Sequence, residues 1–428
     1  MLLDFGDFMM NCLIAGAGPG GLVAALALKR EGFAVRVLER AGQFRPLGGG
    51  LGIQSNGLRV LERLGLLKEL RPHLRLCQKG AMTLWGNRLL SAFDFSKLDM
   101  PFPYFAVVLR HELHEFLVRA LAREGIAIEM GKELVGAKTL SLTPEPLVEI
   151  EIKDPQGTTT RETTQLLIGA EGVHSPIRKS LVAAGRLKCG EIHHQEPWLR
   201  LVTPRKAVTN GNSGERAAEI DGPVEIWGDD GRRFGIVPLT DRIDANGRSF
   251  PRTYCFLPVG KRPWQEVLNG GIDEWKASWT SYGEEVMALL NAVENWREVS
   301  HSAFHEVECD RWSDPPIFLL GDAVHGMTPN LGQGANCAMT DGLVLAHLLG
   351  KYPHRLDLAA SEYHRLRFAF VGKIQKTARM LGQLGSLQSA PLRWARNAAI
   401  RISDLFPSLV QNQGRLFGGY NPLEKDLY

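Results

Sequence analysis

No uncharged apolar run in this sequence approaches the roughly 20 residues that a membrane-spanning helix requires. Net charge is also small, +3 from 50 basic and 47 acidic residues among 428. That removes the electrostatic footprint expected of a nucleic-acid or membrane-surface protein. The six cysteines, at 12, 77, 189, 255, 309 and 337, show no CxxC or other metal-ligand spacing, so no metal site is expected. Scattered thiols of this kind predict a reduced, cytoplasmic protein. The start, "MLLDFGDFMM", has neither a basic n-region nor a long apolar core, and reads as a short extension before the first strand. What remains is the composition of a globular protein, 44% hydrophobic and 23% charged. Its length predicts two or three domains or subdomains.

Two stretches carry chemistry. The first is "NCLIAGAGPGGLVAALALKREGFAVRVLER". "CLIA" reads as a buried strand, Leu22 to Arg30 as a helix, and "AVRVLE" as a second parallel strand ending at Glu39. Gly16, Gly18 and Gly21 supply G-x-G-x-x-G. Glycines there allow a tight turn and close backbone approach to a pyrophosphate, and the helix N-terminus offers amides and a dipole. Glu39 stands where a carboxylate accepts ribose hydroxyls. The combination points to a dinucleotide site; a tight turn without a ligand is the plainer alternative.

The second is "GDAVHGMTPNLGQGAN", residues 321 to 336. It follows the apolar run Ile317–Leu320 and precedes a helix. An acid at a strand end and glycines at a helix start predict a joint that holds a polar, partly anionic ligand.

With these motifs the chain resembles the class A flavoprotein monooxygenases, the family of para-hydroxybenzoate hydroxylase, salicylate hydroxylase and the tetracycline-inactivating monooxygenases. Three further stretches carry the likeness. "PLGGGLGIQSNGLRVLERLGLL" resembles the glycine-rich loop that passes the isoalloxazine, with Gly49. "VVLRHELHEFLVRAL" resembles the helix whose arginine, here Arg110, contacts the cofactor. "LLIGAEGVHSPIRK" resembles the GADGxxSxxR fingerprint, with Glu171 in place of the usual aspartate. That departure keeps the charge, moves it by about a bond length, and makes nicotinamide preference less predictable.

The resemblance implies an α/β fold: a Rossmann-like FAD-binding domain with an inserted antiparallel β-sheet substrate domain and C-terminal helices. The FAD-binding domain is expected at 1–75, 105–178 and 303–375, the substrate domain at 76–104 and 179–302, and a helical region at 376–428. "VEIWGDDGRRFGIVPL" fits a hairpin of the substrate sheet, and "TNGNSGE" and "DANGR" fit turns. "PLRWARNAAIRISDLF" is amphipathic and basic; packing on the FAD domain is favoured over membrane contact.

The resemblance also implies the cofactor set. Gly16, Ala17, Gly18, Gly21, Glu39, Arg40, Gly49, Arg110, Asp322, Gly332, Gln333, Gly334, Ala335 and Asn336 are the expected FAD-binding positions. Val135, in the β-meander, corresponds to the place where main chain meets the adenine. Asp322 is placed to accept a ribityl hydroxyl, and helix amides near Gly332 to face the flavin pyrimidine edge, where a dipole stabilises the reduced ring. Arg233, His325 and Pro329 are candidate catalytic residues: Arg233 to orient an acidic or phenolic substrate, His325 to move protons, Pro329 to stiffen the loop at the ring. For Arg233 a solvent-facing turn charge, and for His325 a structural bond within its own loop, are the plainer readings. Asp341 reads as a surface or helix-capping acid.

The implied reaction is external monooxygenation. NADH or NADPH reduces FAD, O₂ adds to the reduced flavin, and a C4a-hydroperoxide passes oxygen to an electron-rich aromatic or heteroaromatic substrate, by hydroxylation or epoxidation. A monomer or homodimer is expected. Two rivals are a flavin-dependent halogenase, whose WxWxIP motif and active-site lysine are not apparent, and a non-enzymatic carrier on the same fold, which the intact GDAxH fingerprint disfavours.

Overall fold

The computed structural model describes residues 10–45, 49–86, 88–143, 145–194, 196–204, 220–244, 246–259 and 262–427. The expected N-terminal extension (1–9), the "PLG" of the glycine-rich loop, the "TNGNSGE" turn and Ala245 of "DANGR" lie outside these residues.

The first layer is a six-stranded sheet in the order Ser313–Asp314, Ile317–Leu319, Leu166–Gly169, Asn11–Ala15, Ala34–Glu39, Ile128–Met130. All its pairings are parallel except the short edge strand at 313–314. Parallel strands buried on both faces require continuous apolar runs. Leu166–Gly169 and Ile317–Leu319 are accordingly buried throughout. Helices Pro19–Arg30 and Gly334–Lys351 pack closely together on this sheet. Their approach depends on missing side chains: a Cβ on Gly342 would lie 2.8 Å from the Gly20 carbonyl oxygen, and one on Gly20 2.9 Å from the Ala338 Cβ.

The second layer is a seven-stranded sheet in the order Val299–Ser302, Trp198–Pro204, Arg252–Pro258, Arg233–Pro238, Val224–Trp227, Lys79–Leu84, Arg88–Asp94. The expected hairpin is there, with Val224–Trp227 antiparallel to Arg233–Pro238. One pairing departs from the antiparallel expectation: Val224–Trp227 runs parallel to Lys79–Leu84, because those strands come from distant parts of the chain. Along Trp198–Pro204 the period-2 alternation sends Leu199 and Leu201 into a core behind the sheet and Trp198 and Arg200 to the opposite face.

Helices Trp264–Ala277 and Glu284–Asn291 supply that core with Trp275, Val286 and Leu290. They correct the all-sheet reading of residues 179–302. Wide apolar spacing, not alternation, marks them, as in Val286, Leu289 and Leu290 on one face.

Two further expectations are corrected. Cys189 and Cys309 form a disulfide, so not all six cysteines are reduced. They are 120 residues apart but directly opposite in the antiparallel pair Cys189–His193 and His305–Cys309, a neighbourhood that spacing in the chain does not disclose. The other four cysteines are buried. The amphipathic helix Ala390–Ser403 lies on the substrate sheet, not on the FAD-binding layer. It sits against strand Arg88–Asp94, and the Arg396 guanidinium stands 4.8 Å from the Trp227 ring centroid. No helix among the described residues is long and apolar enough to cross a membrane, and no His, Cys, Asp and Glu cluster among them has the makings of a metal site.

Candidate active site

Between the two layers lies a cavity of about 1600 Å³. That exceeds the roughly 300–1,000 Å³ of a site for one drug-sized ligand, and leaves room for a dinucleotide and a second molecule.

The end of the cavity at the parallel sheet is shaped by glycines. Gly16 has φ +103°, and a Cβ there would sit 2.4 Å from the Ala170 carbonyl oxygen. Gly21 is pressed closer still, where a Cβ would lie 2.0 Å from the Gly16 carbonyl oxygen. Gly18 is different: a Cβ there meets nothing within 4 Å, because its open side is the cavity. Helix Pro19–Arg30 has no side-chain cap, so its first amides are left for a ligand. Glu39 is held by two backbone amides, from Ala17 at 3.0 Å and Ala41 at 2.9 Å, and still lines the cavity. Arg40, Gly49 and Arg110 line it too, and the Arg110 amide donates to the Gly49 carbonyl at 2.9 Å.

The 321–336 joint closes the same end. Gly321, Asp322, Pro329, Gly332, Gly334 and Ala335 line the cavity. The Asp322 carboxylate is open to the cavity though ringed by protein, and that desolvation raises its pKa against the pull of His325 and Arg110. No described side chain or amide donates a hydrogen bond to it, which leaves both oxygens for a ligand hydroxyl. Pro329 begins a 3-10 turn that ends in Gly332 at φ +64°, a left-handed conformation. Helix Gly334–Lys351 then starts without a side-chain cap. Open glycines, two uncapped helix starts and a carboxylate without donors fit FAD: amides for the pyrophosphate and ring, acids for the sugar hydroxyls.

Five expected positions do not line the cavity: Ala17, Val135, Gln333, Asn336 and His325. Beside Val135 the cavity reaches Lys132, Glu133 and Leu134 instead. Gln333 and Asn336 are buried and turned into protein. The Gln333 amide donates to Gln54 and to the Phe417 carbonyl, and accepts from Asn56 at 2.9 Å. Asn336 donates to the Gly52 and Gly332 carbonyls and accepts from the Gln54 amide at 3.1 Å. These amides knot loop 50–56 to the 331–336 loop and set the shape of this end of the cavity.

His325 points inward, away from the reacting space, which corrects its candidate catalytic place. Its Nε2 lies 2.5 Å from Asp341 Oδ2. Asp341 is fully buried, not on the surface. It also accepts from the Gly321 amide at 3.1 Å and from Arg367 Nε at 2.7 Å, and Arg367 pairs with Glu424. Burial pushes the Asp341 pKa up, but His325 and Arg367 outweigh it and hold the acid below its usual range. The chain of charges ties the 321–325 loop to the long helix Leu356–Gly385 and to the last turn of the chain. Arg178 performs a similar tie, donating to the carbonyls of Ala323 at 2.8 Å and Val173 at 2.7 Å. Glu171, at the altered fingerprint position, lines the cavity and accepts from Ser175 at 3.0 Å; burial nevertheless raises its pKa to about 7.

The opposite end is a set of side chains on the antiparallel sheet. Trp198, Arg200, Glu225, Trp227, Arg233, Tyr254 and Phe256 face the cavity. Arg233 is 3% exposed, so the solvent-facing reading is corrected. Its guanidinium pairs with Glu225 at 3.2 Å, hydrogen-bonds Asn330 beside Pro329, and lies 4.8 Å from the Trp198 ring centroid. Gly235 lets the Phe256 ring lie flat on the strand, since a Cβ there would come within 2.1 Å of it. Trp198, Arg200, Glu225, Tyr254 and Asn330 were not singled out from the sequence. Alternation in "WLRLVTP" separates Arg200 from Leu199 and Leu201, but does not say which face meets a cavity.

Comparison with known proteins decides the family. The FAD binding domain family model matches residues 9–210 and 274–370, more than half of the chain. 6-Hydroxynicotinate 3-monooxygenase from Pseudomonas fluorescens is 30% identical over 382 residues, 85% of this chain and 89% of that protein. The chain belongs to the class A FAD-dependent monooxygenases. Another relative, 2-heptyl-3-hydroxy-4(1H)-quinolone synthase from Pseudomonas aeruginosa, is 28% identical over 92% of this chain and 94% of its own. Among solved structures, HpxO from Klebsiella pneumoniae with FAD and uric acid superposes with a TM-score of 0.76 over 99% of this chain and all of its own, at 20% identity. This monooxygenase is therefore an FAD enzyme of the family's α/β fold; the halogenase and carrier alternatives find no support.

Proposed function

We propose that this monooxygenase hydroxylates or epoxidises a small electron-rich aromatic or heteroaromatic compound held on the cavity face of the antiparallel sheet. FAD, when bound, takes reducing equivalents from NADH or NADPH and activates O₂ for transfer. The observation that carries the reading is the single cavity with two unlike ends, glycines and free amides at one and aromatic rings with arginines at the other.

In this reading Gly16, Gly18 and Gly21 bring main chain to the pyrophosphate, and Glu39, steadied by the Ala17 amide, accepts from the adenosine ribose. Asp322 accepts from the ribityl chain. Amides from Gly332 to Ala335 face the pyrimidine edge. Arg40 and Arg110 balance negative charge. Gln333 and Asn336 act through the loop they hold, and Pro329 with Asn330 stiffens the floor where substrate meets flavin. Arg233, already paired with Glu225, orients the arene through Trp198. Segments 1–75, 105–178 and 303–375 serve the cofactor, and 76–104 and 179–302 the substrate. One chain supplies the whole site, so a monomer or homodimer suffices. On this reading the protein works in the cytoplasm, where reduced nicotinamide is supplied, with a small aromatic or heteroaromatic molecule as its partner.

The test is purification followed by turnover. The protein should carry FAD, and a screen of hydroxyarenes and heteroarenes should find compounds that accelerate NAD(P)H oxidation. Product formed under ¹⁸O₂ should gain one labelled atom. Label only from water, or a halogenated product, would overturn the proposal.

A further inference from the structure

The two arginines on the antiparallel-sheet side of the cavity differ in one respect. Arg233 has a counter-charge in Glu225. Arg200 has none among the described residues; its hydrogen bond is to the neutral hydroxyl of Ser302. Its aromatic neighbour Tyr254 is neutral as well, because burial pushes that phenol up to about 12. Arg110, of the same sign, also acts on Arg200.

A guanidinium set into a largely apolar cavity without an anion loses hydration that nothing returns. Desolvation, with the help of Arg110, accordingly lowers the Arg200 pKa, though arginine stays charged. Proteins resolve such a charge by pairing it, and here the open space before it is the substrate end of the cavity. Around it stand flat surfaces suited to an arene: Trp198 and Phe256, stacked with centroids 6.1 Å apart, and Tyr254, 6.0 Å from Phe256. Ser302 fixes one edge of the guanidinium, leaving the remaining N–H donors in the fork geometry that matches a planar oxyanion.

We propose that Arg200 is the specificity-determining residue of this enzyme and that it selects an aromatic acid, binding the substrate's carboxylate while Trp198, Tyr254 and Phe256 take the ring. The inference rests on the proposed placement of substrate at the sheet end of the cavity. It assigns Arg233 a different part, since Glu225 already neutralises it. The rival ligand for Arg200 is the anionic reduced flavin, because a Cβ on Gly49 of the flavin loop would lie 3.7 Å from Arg200 Cδ.

The experiment measures binding to the FAD-loaded, oxidised protein, where the flavin ring is neutral. Benzoate, 4-hydroxybenzoate and 6-hydroxynicotinate are each titrated beside the matching carboxamide, read by flavin absorbance and fluorescence. At least one acid should bind tenfold or more tighter than its amide, the effect of a charge-assisted pair. Arg200→Gln should erase that preference without changing amide binding or FAD content. Arg200→Lys should keep part of it, which shows that the site is folded. Three results overturn the inference: acids binding no better than amides, a preference that survives Arg200→Gln, or a change only in the flavin midpoint potential of that variant. Because no turnover is needed, failure of the oxygenase reading would show separately, as acid binding without labelled product.

Discussion

At the end of the cavity we assign to flavin the decisive features are absences of side chain; at the end we assign to substrate they are side chains. Gly16 and Gly21 touch backbone oxygens so closely that no Cβ fits, and Gly18 keeps its open face to the ligand. At the other end Trp198, Arg200, Arg233 and Tyr254 project from four places in three strands. A backbone cradle needs its glycines at fixed spacing within one loop, so it leaves a motif. A side-chain wall needs only that some residue on each strand face the cavity, so it leaves none and is free to change with the substrate.

The sharpest way to break this contrast is within one motif. Gly16→Val forces a branched side chain into the Ala170 carbonyl at positive φ, and should abolish both stable folding and FAD binding. Gly18→Val, at an open position, should leave the apoprotein folded and remove only FAD. Thermal unfolding of each apoprotein with FAD titration distinguishes them; equal unfolding losses would mean the glycines are merely conformational.

Next in size is the buried charge chain beneath the flavin loop. Asp341→Ala leaves Arg367 and His325 with one carboxylate fewer, Glu424 remaining, and should cost about 3–5 kcal/mol. Urea unfolding of the variant measures it. A loss within the range of a surface substitution would show the chain to be dispensable.

Glu171 gives a pH-dependent effect. Burial lifts its folded pKa to about 7, above the 4.5 of a free glutamate side chain. Its contribution to stability is therefore fully present below pH 4.5 and lost as pH rises through 7, where the ionised form costs roughly 3 kcal/mol. Glu171→Gln should flatten the fall in melting temperature between pH 5 and 8. Parallel curves for the two proteins would contradict the assignment. Smaller still is Gly332→Ala, which must hold φ +64° and should cost about 1–2 kcal/mol in stability. Its melting temperature checks this, and an unchanged value would mean the loop relaxes.

The same contrast explains what was legible in the sequence. The strand–glycine–helix unit at 11–39 and the 321–336 joint were readable because local geometry fixes their residue types. The plainer, structural reading of His325 holds, but its partner and the burial of Asp341 were not legible, because their bond spans two elements and ends in Arg367 and Glu424, which no local pattern connects. The Gln333 and Asn336 side chains tie the neighbouring loops together, an arrangement that spacing cannot separate from ligand contact. The 189–309 disulfide and the helices behind the substrate sheet were missed because strand register and tryptophan packing set them, not spacing.

The central claim is that cofactor and substrate are held at separable ends of one cavity. Arg233→Gln tests it most directly, read as product formed per NAD(P)H consumed at matched FAD content. The account predicts FAD affinity within about threefold of the native protein and product yield lowered about tenfold or more, the loss of a charged positioning contact worth roughly 1.5 kcal/mol or more. A variant that loses FAD while keeping its yield per bound flavin would contradict it.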